Sequence, residues 1–272
     1  MNTILKKMSL MMDELRSKAP LVHSITNYVT VNDVANALLA IGASPIMADD
    51  IDEAAEITAR STALVINIGT LNRRTIAAMI ASGKRANERA IPVVFDPVGA
   101  GASKFRNETT MEILSQVNIA VLRGNLSEVS FVAGLEATTK GVDSSEADEK
   151  NDSVGVAKSV AKKFNCVAAV TGAVDVISDG ERVVKIANGH RMLSRVTGTG
   201  CMTSALVGAF VGTSRDYFTA AVGGVASMGI AGEIAYEKAG EDGTGSFHIA
   251  IMDALSKLNG ELMAESAKLN EE

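Results

Sequence analysis

The sequence predicts an α/β fold with a mostly parallel central sheet and helices on both faces. Short apolar runs alternate with longer stretches of helical periodicity along most of the 272 residues. This alternation is typical of parallel strands joined by right-handed crossovers. Several runs are apolar almost throughout, as strands covered on both faces require. Because no internal repeat or Pro/Ser-rich linker divides the chain, we expect one domain over residues 1–272.

Six apolar runs are the expected strands of this sheet. They are, in chain order, residues 21–24, 45–48, 63–68, 92–95, 119–122 and 167–170. A helix is expected between the third and fourth runs, over residues 71–90, where Ile76, Met79 and Ile80 share one face of a 3.6-residue period.

Three later segments depart from this alternation. Residues 175–185 place β-forming residues on both sides of an Asp-Gly turn, which predicts a hairpin. After Gly198 the chain is rich in Ala, Gly and Met, and we expect helices as far as the C-terminus. Residues 136–152 carry six acidic residues and two lysines, which indicates a solvated surface connection.

Charge and composition argue against nucleic-acid and membrane partners. The chain has 26 Lys and Arg against 32 Asp and Glu, a net charge of −6, and only 4% aromatic residues. A nucleic-acid partner would require a basic face and stacking side chains. No apolar run reaches the roughly 18 residues of a membrane span, and the N-terminus lacks a secretory signal pattern. We therefore expect a soluble cytoplasmic protein.

The cysteines and histidines do not follow metal-binding spacings. Cys166 and Cys201 lie too far apart for a zinc or iron–sulfur motif. Cys166 opens an apolar strand and is expected to be an inert buried thiol. His23, His190 and His248 are widely separated, so we expect structural or solvated roles for all three.

The strongest local signal is V-T-G-T-G-C-M-T-S-A at residues 196–205. Gly198 and Gly200 allow a ligand to approach the backbone, and the first N–H groups of the following helix would point at an anion. This arrangement suits a phosphoryl group in transfer. The motif matches neither the phosphate loop of NTPases nor the dinucleotide-binding fingerprint. A structural glycine turn before a buried helix explains the pattern equally well.

Two acidic residues follow neighbouring apolar runs. Asp96 stands in F-D-P-V-G-A-G-A-S, at the strand end where open α/β sheets bind ligands. Glu128 lies three residues after Asn125, as in a capping box. Two carboxylates together with nucleotide phosphates are a common way to hold Mg²⁺, and Arg123 is suited to a phosphate. A capping role for Asp96 is the alternative, whereas capping by Glu128 is compatible with a metal role.

Two further strands end in polar residues. They end in N-I-G-T at residues 67–70 and V-T-G at residues 170–172. Because the carboxyl ends of parallel strands lie along one edge of a sheet, these residues are expected beside Asp96 and Arg123. Their shared position is a stronger signal than any single motif.

Several motifs together resemble those of one enzyme family. N-L-S-E at residues 125–128 resembles the N-x-x-E motif of the ribokinase-like superfamily, and G-T-G-C at 198–201 resembles its glycine-rich anion hole. V-H-S-I-T-N at 22–27, P-I-M-A at 45–48 and D-P-V-G-A-G at 96–101 complete the set. With Cys201 ending the anion-hole motif, the chain resembles the hydroxyethylthiazole kinase family over nearly its whole length.

The resemblance implies a three-layer ribokinase-like fold and a specific activity. That activity is ATP- and Mg²⁺-dependent phosphorylation of the hydroxyl of 4-methyl-5-(2-hydroxyethyl)thiazole, in thiamine biosynthesis or salvage. The resemblance also implies a homotrimer whose sites lie at subunit interfaces.

The resemblance assigns roles to individual positions. The residues implied to contact the thiazole are Met47, Gly198, Asn27 and Gly69. Those implied to contact ATP are Arg123 and Thr171, and those implied to hold Mg²⁺, directly or through water, are Asp96 and Glu128. The implied anion hole consists of Gly198, Thr199 and Gly200.

Cys201 is the implied catalytic residue. Most ribokinase-like enzymes have an aspartate there, which deprotonates the hydroxyl. A thiol has a pKa of about 8.5, lowered near a helix N-terminus, so we expect a partial thiolate. A loose phosphoryl-transfer transition state needs little early proton removal. Lining the reacting hydroxyl is therefore the stronger expectation for Cys201 than acting as general base.

Other functions share parts of this pattern. A hydroxymethylpyrimidine or pyridoxal kinase would have the same anion hole. A nicotinamide-nucleotide-hydrate dehydratase of this fold usually keeps the aspartate that Cys201 replaces. A non-catalytic nucleotide sensor would lack a carboxylate or an anion-hole glycine, and both are present here.

Overall fold

The computed structural model describes residues 3–135 and 146–272. Within these residues nine strands form one sheet in the order β2-β1-β3-β4-β5-β6-β7-β8-β9. The strands are β1 (Leu21–Ile25), β2 (Ser44–Ile46), β3 (Ala63–Asn67), β4 (Val93–Asp96), β5 (Val121–Asn125), β6 (Val167–Thr171), β7 (Asp175–Ser178), β8 (Val183–Ile186) and β9 (Leu269–Glu271). The strands from β2 to β6 pair in parallel, and those from β6 to β9 pair antiparallel.

Helices connect the parallel strands and cover the sheet. Before the hairpin they are α1 (Thr3–Lys18), α2 (Val31–Ile41), α3 (Ala54–Thr58), α4 (Arg73–Glu88), α5 (Lys104–Gln116), α6 (Leu126–Ala133) and α7 (Glu146–Phe164). After it come a 3₁₀ helix (Arg191–Arg195), α8 (Thr199–Thr213), α9 (Tyr217–Ala239), α10 (Thr244–Lys257) and α11 (Gly260–Ser266).

Two hydrophobic cores lie on opposite faces of the sheet. Along β3, Val65 packs into the core formed with α1, α2, α8, α9 and α10, whereas Leu64 and Ile66 pack into the core formed with α4, α6 and α7. Val94 and Phe95 of β4 divide in the same way. Successive strand residues alternate between the faces, which explains why the runs are apolar throughout. The predicted three-layer α/β class is confirmed.

Helix α9 is long and apolar enough to cross a membrane by length and composition. Of its most apolar 18-residue window, 89% is buried inside the protein. Its small residues allow close packing against α8, since a Cβ at Gly224 would lie 2.5 Å from Cα of Val207. α9 is therefore the central helix of one core, and its small-residue composition is explained within a single chain.

The hairpin prediction is confirmed by β7 and β8, but the expectation of an all-helical C-terminal segment was wrong in part. The C-terminal segment is not wholly helical, because β9 pairs with β8. In α4 the buried face is centred on Ala78 and Met79, and Ile76 and Ile80 are only half-buried. Of the predicted surface connection 136–152, residues 146–152 begin α7, and 136–145 lie outside the described residues.

Candidate active site

Four neighbouring parallel strands end in polar residues along one edge of the sheet. The terminal residues of β3 to β6 are Asn67, Asp96, Asn125 and Thr171. Asn67 pairs in register with Asp96, and Asn125 pairs with Thr171. The expected convergence of these strand ends is therefore observed, and each polar residue belongs to its strand rather than to the following loop.

Asp96 is fully buried at this edge. Its Oδ2 accepts hydrogen bonds from Asn67 Nδ2 at 2.8 Å and Ser204 Oγ at 2.7 Å, with Arg123 Nη1 at 3.6 Å. Its Oδ1 has no partner among the described residues. Burial raises the pKa of Asp96 to about 6, although Arg123 and the hydrogen bonds act in the opposite direction. The carboxylate is held by one oxygen and leaves the other free.

Glu128 joins a helix start to a loop. Its Oε2 accepts from Asn125 N at 2.8 Å while Asn125 Oδ1 accepts from Glu128 N at 2.9 Å, which confirms the predicted capping box. Its Oε1 accepts from Gly99 N, also at 2.8 Å, in the loop after β4. Both carboxylate oxygens are therefore oriented by backbone N–H groups from two strand ends.

The donor set at this edge fits Mg²⁺ better than a structural metal. Among residues 3–135 and 146–272, no group of three or more His, Cys, Asp or Glu side chains is arranged to hold a metal ion. Mg²⁺ instead binds through one or two carboxylates together with substrate phosphates and water. The unpartnered Oδ1 of Asp96, with Glu128 close enough to influence its pKa, matches that requirement.

Arg123 extends from β5 across the edge to β6. Its Nη2 donates to Thr171 Oγ1 at 2.7 Å, and Thr171 Oγ1 donates in turn to Gly124 O at 3.3 Å. The Nε of Arg123 is buried without a partner in the described chain. A Cβ at Gly200 would lie 2.8 Å from Arg123 Nη1, so a glycine is needed where α8 meets the guanidinium.

The anion-hole motif forms an uncapped helix N-terminus. Gly198 precedes α8 with φ +88°, and no side chain caps the helix. A Cβ at Gly198 would also lie 2.7 Å from Cγ2 of Thr30, so both conformation and space require glycine. The first N–H groups of α8, from Thr199 onward, lack intrahelical partners and are suited to an anion.

Cys201 lies in the first turn of α8 between two asparagines. Its Sγ is 3.2 Å from Asn27 Nδ2 and 3.3 Å from Asn67 Nδ2. Asn67 Oδ1 accepts from Asn27 Nδ2 at 3.0 Å and from Gly69 N at 2.9 Å. Burial, followed by the negative charge of Asp96, raises the pKa of the thiol despite these hydrogen bonds. The expected partial thiolate is therefore corrected to a neutral thiol.

A cavity of about 500 Å³ opens beside this edge. Its lining includes Arg123, Thr171 and the Thr199–Gly200 turn, together with Arg191 of the 3₁₀ helix and Val225 and Met228 of α9. The cavity therefore combines cationic and N–H donors with apolar side chains.

The sequence was compared with models of protein families, and the matching region contains these site residues. Residues 12–261 match the model of the hydroxyethylthiazole kinase family. The chain belongs to the hydroxyethylthiazole kinase family. Its match covers α2 to α10 and every predicted site residue.

Sequence identity and structural similarity to individual hydroxyethylthiazole kinases support this family membership. The chain is 66% identical over 272 residues to hydroxyethylthiazole kinase of Ruminiclostridium cellulolyticum, covering 100% of both chains. It is 45% identical to that of Methanocella arvoryzae over 264 residues, covering 97% of this chain and 98% of the relative. The solved hydroxyethylthiazole kinase of Pyrococcus horikoshii superposes with a TM-score of 0.90 at 42% identity, covering 98% and 99% of the two chains.

A more distant structure shares only the fold. Pyridoxal kinase of Staphylococcus aureus, solved in complex with ADP, has a TM-score of 0.59 and 14% identity over 79% of this chain and 88% of its own. It supports the ribokinase-like architecture expected for a hydroxyethylthiazole kinase family member.

The structure does not gather every predicted residue into one hydrogen-bonded cluster. Asn27, Gly69 and Cys201 meet around Asn67, and Arg123 and Thr171 meet at β5 and β6. Met47 instead follows edge strand β2, beyond β1, where it is half-buried against the core.

Three polar residues of the site, Asn67, Ser204 and Asp175, have no individual role predicted from the sequence. Asn67 joins Asp96 to the Cys201 cluster, and its position at a strand end was the available signal. Ser204 follows Cys201 by three residues and thus shares its side of α8. Asp175, at the start of β7, lines the cavity and accepts from Gly172 N at 2.9 Å. Burial raises the pKa of Asp175 to about 7.

His23, His190 and Cys166, for which the sequence predicts no metal-binding role, have structural environments of their own. The ring nitrogens of His23 lie 2.8 Å from Thr58 Oγ1 and 2.7 Å from Ala48 O, and burial lowers its pKa. His190 stacks on Tyr236 with ring centroids 3.6 Å apart. Burial raises the pKa of Cys166 to about 12, as expected for an inert thiol.

Proposed function

We propose that this chain transfers the γ-phosphoryl group of ATP to the hydroxyl of 4-methyl-5-(2-hydroxyethyl)thiazole, in thiamine biosynthesis or salvage. The observation that carries the proposal is the meeting of three groups at one sheet edge: the uncapped start of α8, the Arg123 guanidinium and the free oxygen of Asp96. Phosphoryl transfer depends on positioning and charge stabilisation, which these groups supply together.

The cavity suits ATP in one orientation. We assign the part of the cavity at Arg123, Thr171 and the start of α8 to the triphosphate, because guanidinium and free N–H donors recognise phosphate oxygens. The part of the cavity beside Val225 and Met228 is proposed to receive the base. This orientation directs the γ-phosphoryl group toward Cys201 and the asparagine cluster.

Asp96 and Glu128 are the groups proposed to hold Mg²⁺, directly or through water. A bound Mg²⁺ neutralises the negative charge of the transferring phosphates. The chain's own contribution is to keep both carboxylates oriented: Asn67 and Ser204 hold one oxygen of Asp96, and two backbone N–H groups hold Glu128.

The acceptor alcohol is proposed to bind at Asn27, Gly69, Met47 and Gly198, with its hydroxyl beside Cys201. A bond forms between that oxygen and the γ-phosphorus, the bond from the γ-phosphorus to the β–γ bridging oxygen breaks to release ADP, and the hydroxyl proton passes to an oxygen of the transferred phosphoryl group. N–H groups of the anion hole at Gly198, Thr199 and Gly200 stabilise the equatorial oxygens of the transferring group. Because proton loss is late in a loose transition state, the neutral Cys201 thiol is a lining group rather than an essential base.

The test is product formation by the purified protein. With ATP, Mg²⁺ and the thiazole alcohol, we expect ADP and the thiazole monophosphate in equal amounts, identified by mass spectrometry. Omitting the alcohol measures background ATP hydrolysis. ADP release without a phosphorylated alcohol would contradict the proposed acceptor.

We also propose a cytoplasmic homotrimer whose thiazole sites are shared between subunits. The support on this chain is an exposed apolar surface near Asn27: Tyr28 is 78% exposed, Leu39 on α2 59% and Ile249 on α10 67%. α2 and α10 pack against each other, which brings the two helices into one surface region.

Light scattering tests the assembly. The wild type is expected to have three times the mass of one chain, and Ile249→Asp is expected to weaken assembly and thiazole binding together. Glu241→Lys, which changes an exposed charge beyond the end of α9, is the control. A monomer that binds the thiazole alcohol with full affinity would contradict a shared site.

A further inference from the structure

One arginine links two of the loops that follow the site strands. Arg106, in the first turn of α5, donates from Nη1 to Ile68 O at 2.6 Å and to Val98 O at 2.5 Å. Its Nη2 donates to Gly69 O at 2.7 Å. A single guanidinium therefore binds three backbone carbonyls, two in the loop after β3 and one in the loop after β4.

This arrangement depends on the geometry of the guanidinium. Its planar fork presents several N–H donors in fixed directions, whereas an ammonium group is a compact charge on a flexible stem. No Asp or Glu side chain forms an ion pair with Arg106 in the described part of the chain. The hydrogen-bonding capacity of Arg106 is thus directed to loop carbonyls rather than to a carboxylate.

The same loops contact the site through their N–H groups. Gly69 donates its N–H to Asn67 Oδ1, and Gly99 donates its N–H to Glu128 Oε1. Gly69 therefore offers its carbonyl to Arg106 and its N–H to the asparagine cluster. Val98 offers its carbonyl to Arg106, and the next residue orients Glu128.

We propose that Arg106 is a positioning residue for phosphoryl transfer: it fixes the loops 67–70 and 96–101 relative to each other, and so fixes the acceptor pocket at Gly69 and the carboxylate of Glu128. The proposal rests on the function proposed above. Arg106 acts through these loops and not by contact with the reacting atoms.

Loss of the Arg106 guanidinium is expected to change kcat and the KM for the acceptor alcohol. Displacing a reacting group by about 1 Å can cost about 100-fold in rate. In Arg106→Met we expect kcat to fall, and KM for the thiazole alcohol to rise, each by at least about tenfold. KM for ATP is expected to change by less than about threefold, because Arg123 and Thr171 are held to each other on β5 and β6.

Two further variants separate positioning from a general loss of stability. Arg106→Lys retains the charge and N–H donors. The decrease in log kcat in this variant is expected to be smaller than that in Arg106→Met by at least about a third. Arg85→Met makes the same change at a residue of α4 whose ion pair with Glu88 is solvent-exposed, and is expected to leave both KM values and kcat unchanged. Melting temperatures of all variants establish that the assays compare folded protein.

A readout without substrates distinguishes failure of this proposal from failure of the proposed function. In the ¹⁵N-glycine-labelled protein, Arg106→Lys is expected to shift the amide signals of Gly69 and Gly99, while Arg85→Met leaves them in place. If wild-type protein ignores the thiazole alcohol, the proposed function fails and these signals still test the loop linkage. Unchanged signals would overturn the Arg106 proposal. So would an Arg106→Met variant with wild-type kcat, or equal rises in both KM values without recovery by lysine.

Discussion

The side-chain amide of Asn67 donates a 2.8 Å hydrogen bond to Oδ2 of Asp96. The same Nδ2 lies 3.3 Å from Cys201 Sγ, and the amide oxygen accepts the N–H of Gly69. Asn67 therefore connects the proposed metal carboxylate with the proposed acceptor pocket. An amide is suited to this position because it offers donors on one side and an acceptor on the other.

Replacing this amide by a carboxylate should damage catalysis severely. In Asn67→Asp the donor to Asp96 is lost, and a second negative charge is placed beside a buried carboxylate. We expect kcat to fall about 100-fold, a cost of about 2.7 kcal/mol, because two carboxylates at this separation repel strongly and Asp96 loses a donor. Steady-state kinetics measure the change. Asn118→Asp, an exposed position before β5, is the control, and equal kinetics in both variants would contradict the role of Asn67.

Glu128→Gln should impair magnesium-dependent catalysis more than folding. The variant retains one acceptor, but its amide nitrogen faces the N–H of Gly99 or Asn125, so one of two hydrogen bonds is lost. We expect the Mg²⁺ concentration for half-maximal rate to rise about tenfold, with a stability loss of about 1 kcal/mol. A magnesium titration and thermal melting measure the two effects. Glu112→Gln on the exposed side of α5 is the control, and an unchanged magnesium requirement would refute the metal assignment.

The thiol of Cys201 should be dispensable. Since its pKa is raised and the anion hole provides most of the stabilisation, Cys201→Ala is expected to retain activity within about 100-fold of wild type. Cys201→Asp is expected to be tolerated or beneficial, because Asn27 and Asn67 already point amide donors at this position. Complete loss of turnover in both folded variants would make the thiol essential.

ATP binding should depend on the ionisation of Asp175. Burial raises its pKa to about 7, so the carboxyl is neutral below that pH and becomes negative in the nucleotide cavity above it. A negative charge beside the triphosphate weakens binding, so KM for ATP should rise by about threefold or more between about pH 6 and pH 8. Asp175→Asn cannot ionise and is expected to show a smaller rise. Identical pH profiles for wild type and variant would contradict this role.

The parallel strands and the polar edge could be predicted from the sequence. Parallel strands buried on both faces leave continuous apolar runs, and residues such as Asp96 and Thr171 stand where those runs end. The capping box of Asn125 and Glu128 has a three-residue spacing that is visible in the sequence.

The features that could not be predicted from the sequence depend on contacts between residues distant in the chain. Ser204 reaches Asp96 across 108 positions, and Arg106 reaches Ile68 across 38, so neither leaves a local pattern. Strand β9 has three residues and pairs with β8, which lies far from it in the chain. The neutral state of Cys201 is also a tertiary property, since burial outweighs the effect of the helix N-terminus.

The central claim is the identity of the acceptor alcohol. The most direct measurement is kcat/KM for ADP release with three alcohols under identical ATP and Mg²⁺ conditions: the thiazole alcohol, hydroxymethylpyrimidine and pyridoxal. We expect the thiazole alcohol to be preferred by at least about 100-fold, since a pocket built to position one hydroxyl discriminates through buried polar contacts. Turnover of pyridoxal or hydroxymethylpyrimidine without turnover of the thiazole alcohol would contradict the account.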